Sequence, residues 1–189
     1  AARIMDASGR DVIFIETVGA GQGETEIAAG ADTVVVVTVP GLGDSIQAMK
    51  AGLMEIADVL VVNMADRPGV REAVRALRSG VRPLDHGPSP WKVPIVTTEA
   101  VAGRGVEELW ATIVSHREHL QATGAMADRR RDQARAELLK RLERRWRSHL
   151  RERLDEDDRL TRLAEEIASG GLGVHDAVEL LWRELEPSV

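Results

Sequence analysis

Four short apolar runs, at residues 12–15, 33–39, 58–62 and 93–97, alternate with stretches whose apolar residues recur every three or four positions. Runs of four to eight apolar residues bounded by turn signals form strands buried on both faces. Strands of this kind alternating with helices predict right-handed βαβ units, hence an α/β domain with a parallel sheet covered by helices on each side. The helical stretches are 45–57, 70–78 and 106–120, with a short helical turn at 24–31 and loops at 40–43, 79–90 and 100–105. In the first of these helices Ile46, Met49, Leu53 and Ile56 form one apolar face, and Asp44 stands where a helix cap belongs. A further helix at 1–7 is stopped by Gly9, and a chain that opens on Ala inside a helix reads as a fragment or a processed start.

At about residue 122 the character changes. Residues 125–167 are almost free of Gly and Pro and rich in Arg, Glu and Leu. Ala134, Leu138, Leu142, Trp146, Leu150 and Leu154 repeat every four residues, a single apolar stripe on a long helix that must find cover on the α/β domain or on a second copy. Leu160, Leu163 and Ile167 continue the pattern after a break near 155–158; Gly170 and Gly171 end it. Val174, Val178, Leu181 and Leu185 mark a last helix. The arginines are interleaved with acids, the pattern of a solvated helix face paired at four-residue spacing. The predicted division is an α/β domain at 1–121 and an all-helical arm at 122–189.

Composition narrows the function. Aromatic residues make up 3% of the chain, so the core must be built from Val, Ile, Leu and Ala. A net charge of −6 argues against a general nucleic-acid binder. The absence of Cys excludes disulfides and thiolate metal sites and fits a reducing compartment. No apolar run approaches the roughly 18 residues of a membrane span, and no signal peptide leads the chain, so a cytoplasmic protein with no membrane role is expected.

Chemistry concentrates at the ends of the predicted strands. The run 12–15 stops at an acid, Glu16, and Gly19, Gly21 and Gly23 follow at alternate positions. A carboxylate at the carboxyl end of a parallel strand faces the crevice where open α/β sheets bind ligands. Glycines there let the backbone approach a phosphate. The stretch predicts a nucleotide site, with Glu16 holding a metal or its water and Gly19 near the terminal phosphate. The rival dinucleotide fingerprint, G-x-G-x-x-G, fails because Glu24 stands where the third glycine is needed. The acid expected at the end of the next strand is also absent, since that strand ends Thr38-Val39-Pro40.

The third run ends in Asn63-Met64-Ala65-Asp66, an N-x-x-D that by itself is often a turn or a helix cap. Placed after a strand, it matches guanine recognition. The Asp66 carboxylate would accept from the base N1–H and N2–H₂, which adenine cannot satisfy, and the Asn63 amide would touch the base edge and tie neighbouring loops. Met64 occupies the place usual for Lys; it keeps a flexible, polarisable stem but not the ammonium. The next loop, residues 97–105, resembles the loop whose small residue offers a backbone N–H to guanine O6, and Ala100 is the matching position.

Taken together, residues 16–22 (Glu-Thr-Val-Gly-Ala-Gly-Gln), 40–52 (Pro-Gly-Leu-Gly-Asp-Ser-Ile-Gln-Ala-Met-Lys-Ala-Gly), 56–58 (Ile-Ala-Asp) and 63–67 (Asn-Met-Ala-Asp-Arg) resemble the MeaB/ArgK family. These are P-loop GTPases that act as chaperones of adenosylcobalamin-dependent acyl-CoA mutases, notably methylmalonyl-CoA mutase; an older label is LAO/AO transport ATPase or kinase. The resemblance covers about residues 1–120, and the helical tail in type. It implies that Glu16 is the Walker-B acid supporting Mg²⁺, that Gly19 senses the γ-phosphate, and that Gln22 lies in the same switch. Asp44, Gln47 and Lys50 match a further mobile loop and helix start that relay nucleotide state to the mutase. Asn63, Met64, Asp66 and Ala100 match the guanine site for GTP or GDP, and the helical tail the arms through which the family forms homodimers. No G-x-x-x-x-G-K-[ST] occurs in the 189 residues, and Gly23 stands where Ser is expected. Phosphoryl transfer is mostly positioning and charge stabilisation, so a parent protein is expected to hydrolyse GTP and this chain alone is not. The alternatives are a non-catalytic dimerising interaction module derived from a GTPase, or an ATPase or kinase linked to amino-acid transport.

Overall fold

The computed structural model describes residues 2–17, 28, 30–41, 53–80, 91–155 and 158–185. In chain order the elements are α1 (Ala2–Ala7), β1 (Val35–Thr38), α2 (Leu53–Ile56), β2 (Val59–Val62), α3 (Val70–Gly80), β3 (Ile95–Thr97), a 3-10 turn (Ala100–Ala102), α4 (Val106–Thr123), α5 (Ala125–Asp155), α6 (Arg159–Ala168) and α7 (Val174–Leu185). Among the described residues, no helix is long and apolar enough to cross a membrane.

The three strands form one parallel sheet in the order β1-β2-β3. Val35 lies opposite Val59, and Leu60 opposite Ile95. All four residues of β2 are buried, as the unbroken run Val-Leu-Val-Val requires. Burying each such side chain stabilises by about 1.5–3 kcal/mol, so β2 is the spine of the domain. On one face Val34, Val36, Leu60 and Val62 pack with Met54, Ala57, and Ala73 and Leu77 of α3. On the other, Val59, Val61 and Val96 pack with Val35 and with Leu109 of α4. Helices therefore cover both faces, as the alternation of runs predicts.

The first apolar run departs from expectation. Residues 12–17 have no regular secondary structure and pair with no strand among the described residues, and Phe14 is 78% exposed. Its ring lies 6.5 Å from that of Trp110 on α4. A four-residue strand of this kind draws its stability from ladder bonds on both edges and cover on both faces. Beside β1 it would have one neighbour, and Val37 of β1 is itself 55% exposed.

The chain divides into two compact units, Ala1–Gln133 and Ala134–Val189. The second consists of the rest of α5 with α6 and α7. The break expected near 155–158 is there: α5 ends at Asp155 and α6 begins at Arg159, after Asp158 at φ 50°. The apolar stripe was expected to be covered; among the described residues, Leu138, Leu142 and Trp146 are exposed. A single amphipathic helix cannot bury its own stripe, so cover must come from another surface. Leu142, Trp146 and His149 line an open groove of about 610 Å³. Arg141 pairs with Glu137 at 2.6 Å, four residues apart as expected, and Arg131 with Asp128 at 2.5 Å, three apart.

Candidate functional site

The carboxyl edge of the sheet is where β2 and β3 release their loops. Asn63 still donates its backbone N–H to Thr38 O of β1 at 2.8 Å, and Thr98 donates to Val62 O at 2.9 Å. Both residues are thus held in the ladder. Met64 then turns the chain with φ 57°, a left-handed conformation that side-chain-bearing residues seldom adopt. It is held by two backbone bonds, Ala65 N–H to Thr98 O and Arg67 N–H to Met64 O, each 3.0 Å. Asp66 is exposed in the turn that follows.

Besides the Ala65–Thr98 backbone bond, one side-chain atom joins the two loops. Asn63 Oδ1 accepts the Thr98 hydroxyl and the Ala100 backbone N–H, each at 3.1 Å. Both partners are donors, so the carbonyl oxygen of the amide must face them. The loop bearing Ala100 is closed from its other side: Glu99 N–H donates to Arg104 O at 2.9 Å, and the two side chains form an ion pair. Gly103 and Gly105 take left-handed φ values of 72° and 75°. At Gly105 a Cβ would stand 2.2 Å from Thr97 O, so only glycine admits this approach of α4 to the end of β3.

Asn63 and Ala100 are thus brought together, with Met64 and Asp66 in the adjoining turn. The N–H that the resemblance assigns to guanine O6 donates here to Asn63 Oδ1. Thr98 was not among the residues expected to contribute; its position two before the small residue of the loop is the only signal that could have marked it. Glu16 is exposed in the irregular segment, and among the described residues no hydrogen bond ties it to this pair. Gly19, Gln22, Asp44, Gln47 and Lys50 lie outside the described residues.

No group of three or more His, Cys, Asp or Glu among the described residues could hold a metal. Magnesium at phosphoryl-transfer sites keeps several waters and uses one or two carboxylates besides the phosphates. A single exposed carboxylate such as Glu16 is compatible with that mode.

Replacing Asn63 with alanine removes the acceptor of both bonds and leaves the Thr98 hydroxyl, in a residue 4% exposed, without it. A loss of about 1–3 kcal/mol is expected. Urea unfolding should show a lower midpoint at unchanged slope, with chemical-shift changes confined to residues 63–66 and 97–105; a midpoint equal to wild type would show that the junction contributes nothing.

Known proteins are similar to this chain in sequence and in fold. The family model described as Methylmalonyl Co-A mutase-associated GTPase MeaB matches residues 1–155. A protein of Pyrococcus horikoshii named as a GTPase is 47% identical over 140 residues, covering 73% of this chain and 44% of the relative. The GTPase ArgK of Escherichia coli is 34% identical over 150 residues, covering 78% of this chain and 45% of its own length. The mouse protein named methylmalonic aciduria type A homolog, mitochondrial, is 26% identical over 181 residues, covering 94% of this chain and 44% of its own length. The chain therefore spans less than half the length of these relatives. The crystal structure of a LAO/AO transport system kinase superposes with a TM-score of 0.74 at 26% identity, covering 97% of this chain and 60% of that one. Since the family match runs unbroken through the sheet, both loops of the carboxyl edge and α5, this chain belongs to the MeaB family of methylmalonyl-CoA mutase-associated GTPases.

Proposed function

We propose that the chain is the base-reading and switch portion of a GTP-binding, GTP-hydrolysing chaperone. Its client would be an adenosylcobalamin-dependent acyl-CoA mutase of the methylmalonyl-CoA mutase type, whose cofactor loading or protection it gates. The observation that carries this reading is the Asn63 junction, which sets two loops at one rim of a parallel sheet in a chain of the MeaB family. In this reading Asp66 accepts from guanine N1–H and N2–H₂, Ala100 N–H meets O6, and the Met64 stem lies along the base. Glu16 would hold Mg²⁺ through water, with Gly19 and Gln22 in the switch. When bound, Mg²⁺ would supply charge neutralisation at the phosphates. Asp44, Gln47 and Lys50 would carry the nucleotide state to the mutase. The uncovered stripe at Leu138, Leu142 and Trp146 supports a homodimer formed through the arm, and cytoplasmic placement goes with this role. A domain boundary near 121–122 remains part of the same reading, with the first turns of α5 belonging to the first compact unit.

Met64 in place of Lys, and the lack of any G-x-x-x-x-G-K-[ST] in these residues, favour a second reading for this chain by itself: a dimerising interaction module without catalysis. Turnover by the isolated chain is accordingly expected to be negligible, and a GTP hydrolysis rate like that of a full-length relative would refute this.

The test joins this chain to the phosphate-binding segment of a relative and titrates the chimera with GTP and ATP. GTP should bind at least about tenfold more tightly, since a charge-assisted pair of hydrogen bonds is worth about 1.5–3 kcal/mol. Asp66→Ala should remove the preference, and Met64→Lys should strengthen GTP binding. Equal affinity for GTP and ATP would sink the assignment of Asp66.

A further inference from the structure

At the amino edge of the sheet, the rim opposite Asn63, polar side chains from five segments close on one another. Asp58, just before β2, is 4% exposed, and His116 of α4 is 1% exposed. The Asp58 carboxylate accepts the Val34 N–H at 2.8 Å and the fork of Arg129 from α5, at 2.8 Å to Oδ2 and 3.2 Å to Oδ1. His116 Nε2 lies 3.4 Å from Oδ1, and the Thr33 hydroxyl 2.9 Å from Nδ1. Arg129 also donates to Asp32 O at 2.9 Å, and Gln133 to Ala31 O at 2.9 Å. The Asp32 carboxylate is engaged by Arg130 at 2.9 Å. Trp91 donates its indole N–H to Asp58 O at 2.7 Å, and its ring lies 4.8 Å from His116 and 5.2 Å from His119.

The partners set the tautomer. A carboxylate faces Nε2, so that nitrogen carries the proton, and Nδ1 accepts from Thr33. One buried carboxylate then serves one half-buried cation, Arg129. A proton on Nδ1 would place a second cation against Asp58, with His119 nearby and Asp32 already turned to Arg130. His116 has no route to water from a site 1% exposed. The Arg129 side chain is 27% exposed and has one. The excess charge is therefore relieved by Arg129 leaving.

We propose that this cluster is an acid-triggered latch: protonation of His116 displaces Arg129 from Asp58 and frees the first turns of α5 from the sheet. Burial holds the imidazole below its ordinary value of 6.5; Asp58 works against this, while Arg129 and His119 add to it. The sign follows. A histidine whose folded-state value is depressed contributes stability that is complete above 6.5 and is lost as pH falls through the lower folded value. The latch is closed at neutral pH and opens on the acid side.

Hydrogen exchange on the intact 189-residue chain, at pH 7.5 and 5.5 and corrected for intrinsic rates, tests this. In the wild type, amides 127–133 should lose protection several-fold at pH 5.5, while those of β2 keep theirs. His116→Gln cannot take up the proton and should show equal protection at both pH values. Arg129→Gln should be poorly protected over 127–133 at both, with no further loss in acid. Because Arg129 is partly exposed, that variant decides the matter even if His116→Gln does not fold. Wild-type protection that is the same at both pH values, or an acid-induced loss that persists in Arg129→Gln, would overturn the latch.

Discussion

Asp58→Ala is expected to destabilise the first unit by about 3 kcal/mol or more, the low end of what removing one partner of a buried ion pair costs. The low end applies because Arg129 can turn part of its charge to water. Three groups lose a partner. Val34 N–H loses a 2.8 Å acceptor at the mouth of β1, His116 loses the carboxylate facing Nε2, and Arg129 keeps only Asp32 O among these partners. Against a typical total of about 5–15 kcal/mol for a domain, this is enough to leave a marginal chain partly unfolded. Asp58→Asn should cost less, because an amide oxygen can still accept from Val34 while the charge is lost. Urea unfolding at pH 7.5 should rank the midpoints wild type, then Asn, then Ala, at unchanged slope. If Asp58→Ala lost under about 1 kcal/mol, within the usual range for exposed pairs, the cluster would be no more than surface decoration.

Gly105→Ala should be the most damaging single-atom change in the loop that carries Ala100. Two costs coincide at this position. A φ of 75° suits glycine, and for other residues the left-handed region costs roughly 1–2 kcal/mol. The added Cβ would also stand 2.2 Å from Thr97 O and 3.2 Å from Thr98 Cα, both backbone atoms with no rotamer to yield. Gly103 provides the control. Its φ is 72°, yet a Cβ added there would meet nothing within 4 Å. Gly103→Ala should therefore show the conformational cost alone, and Gly105→Ala that cost plus displacement of the end of β3. Unfolding midpoints should differ accordingly, and in Gly105→Ala the Ala100 N–H should lose exchange protection as it parts from Asn63 Oδ1. Equal midpoints for the two variants would show that the loop relaxes around the clash.

Much of the scaffold was legible from periodicity. The runs at 33–39, 58–62 and 93–97 became β1, β2 and β3, each shorter than its run, because pairing stops where the partner strand stops. The four-residue spacing of the tail read as α5, and the break before Arg159 was marked by the loss of apolar positions. At the candidate site, Asn63 and Ala100 could be named because the loops after parallel strands gather at one edge and these two resemble guanine-reading loops. The run at 12–15 misled for a physical reason: apolar character states a demand for burial, and does not say whether a neighbour is there to meet it. The stripe on α5 carries the same lesson, since Leu138 and Trp146 are as apolar as any core residue and remain exposed.

What the order of residues determined by itself was local: which segments are strands or helices, where they turn, and which loops share the carboxyl edge. Those properties depend on spacings of two to four residues and on the fixed geometry of parallel βαβ units. The opposite rim was decided only in three dimensions. Asp58 reads as the first residue of a strand, yet it meets Val34 across 24 positions and Arg129 across 71. No periodicity spans such distances. A carboxylate, an imidazole and a guanidinium acquire a common fate only when folding excludes water from between them.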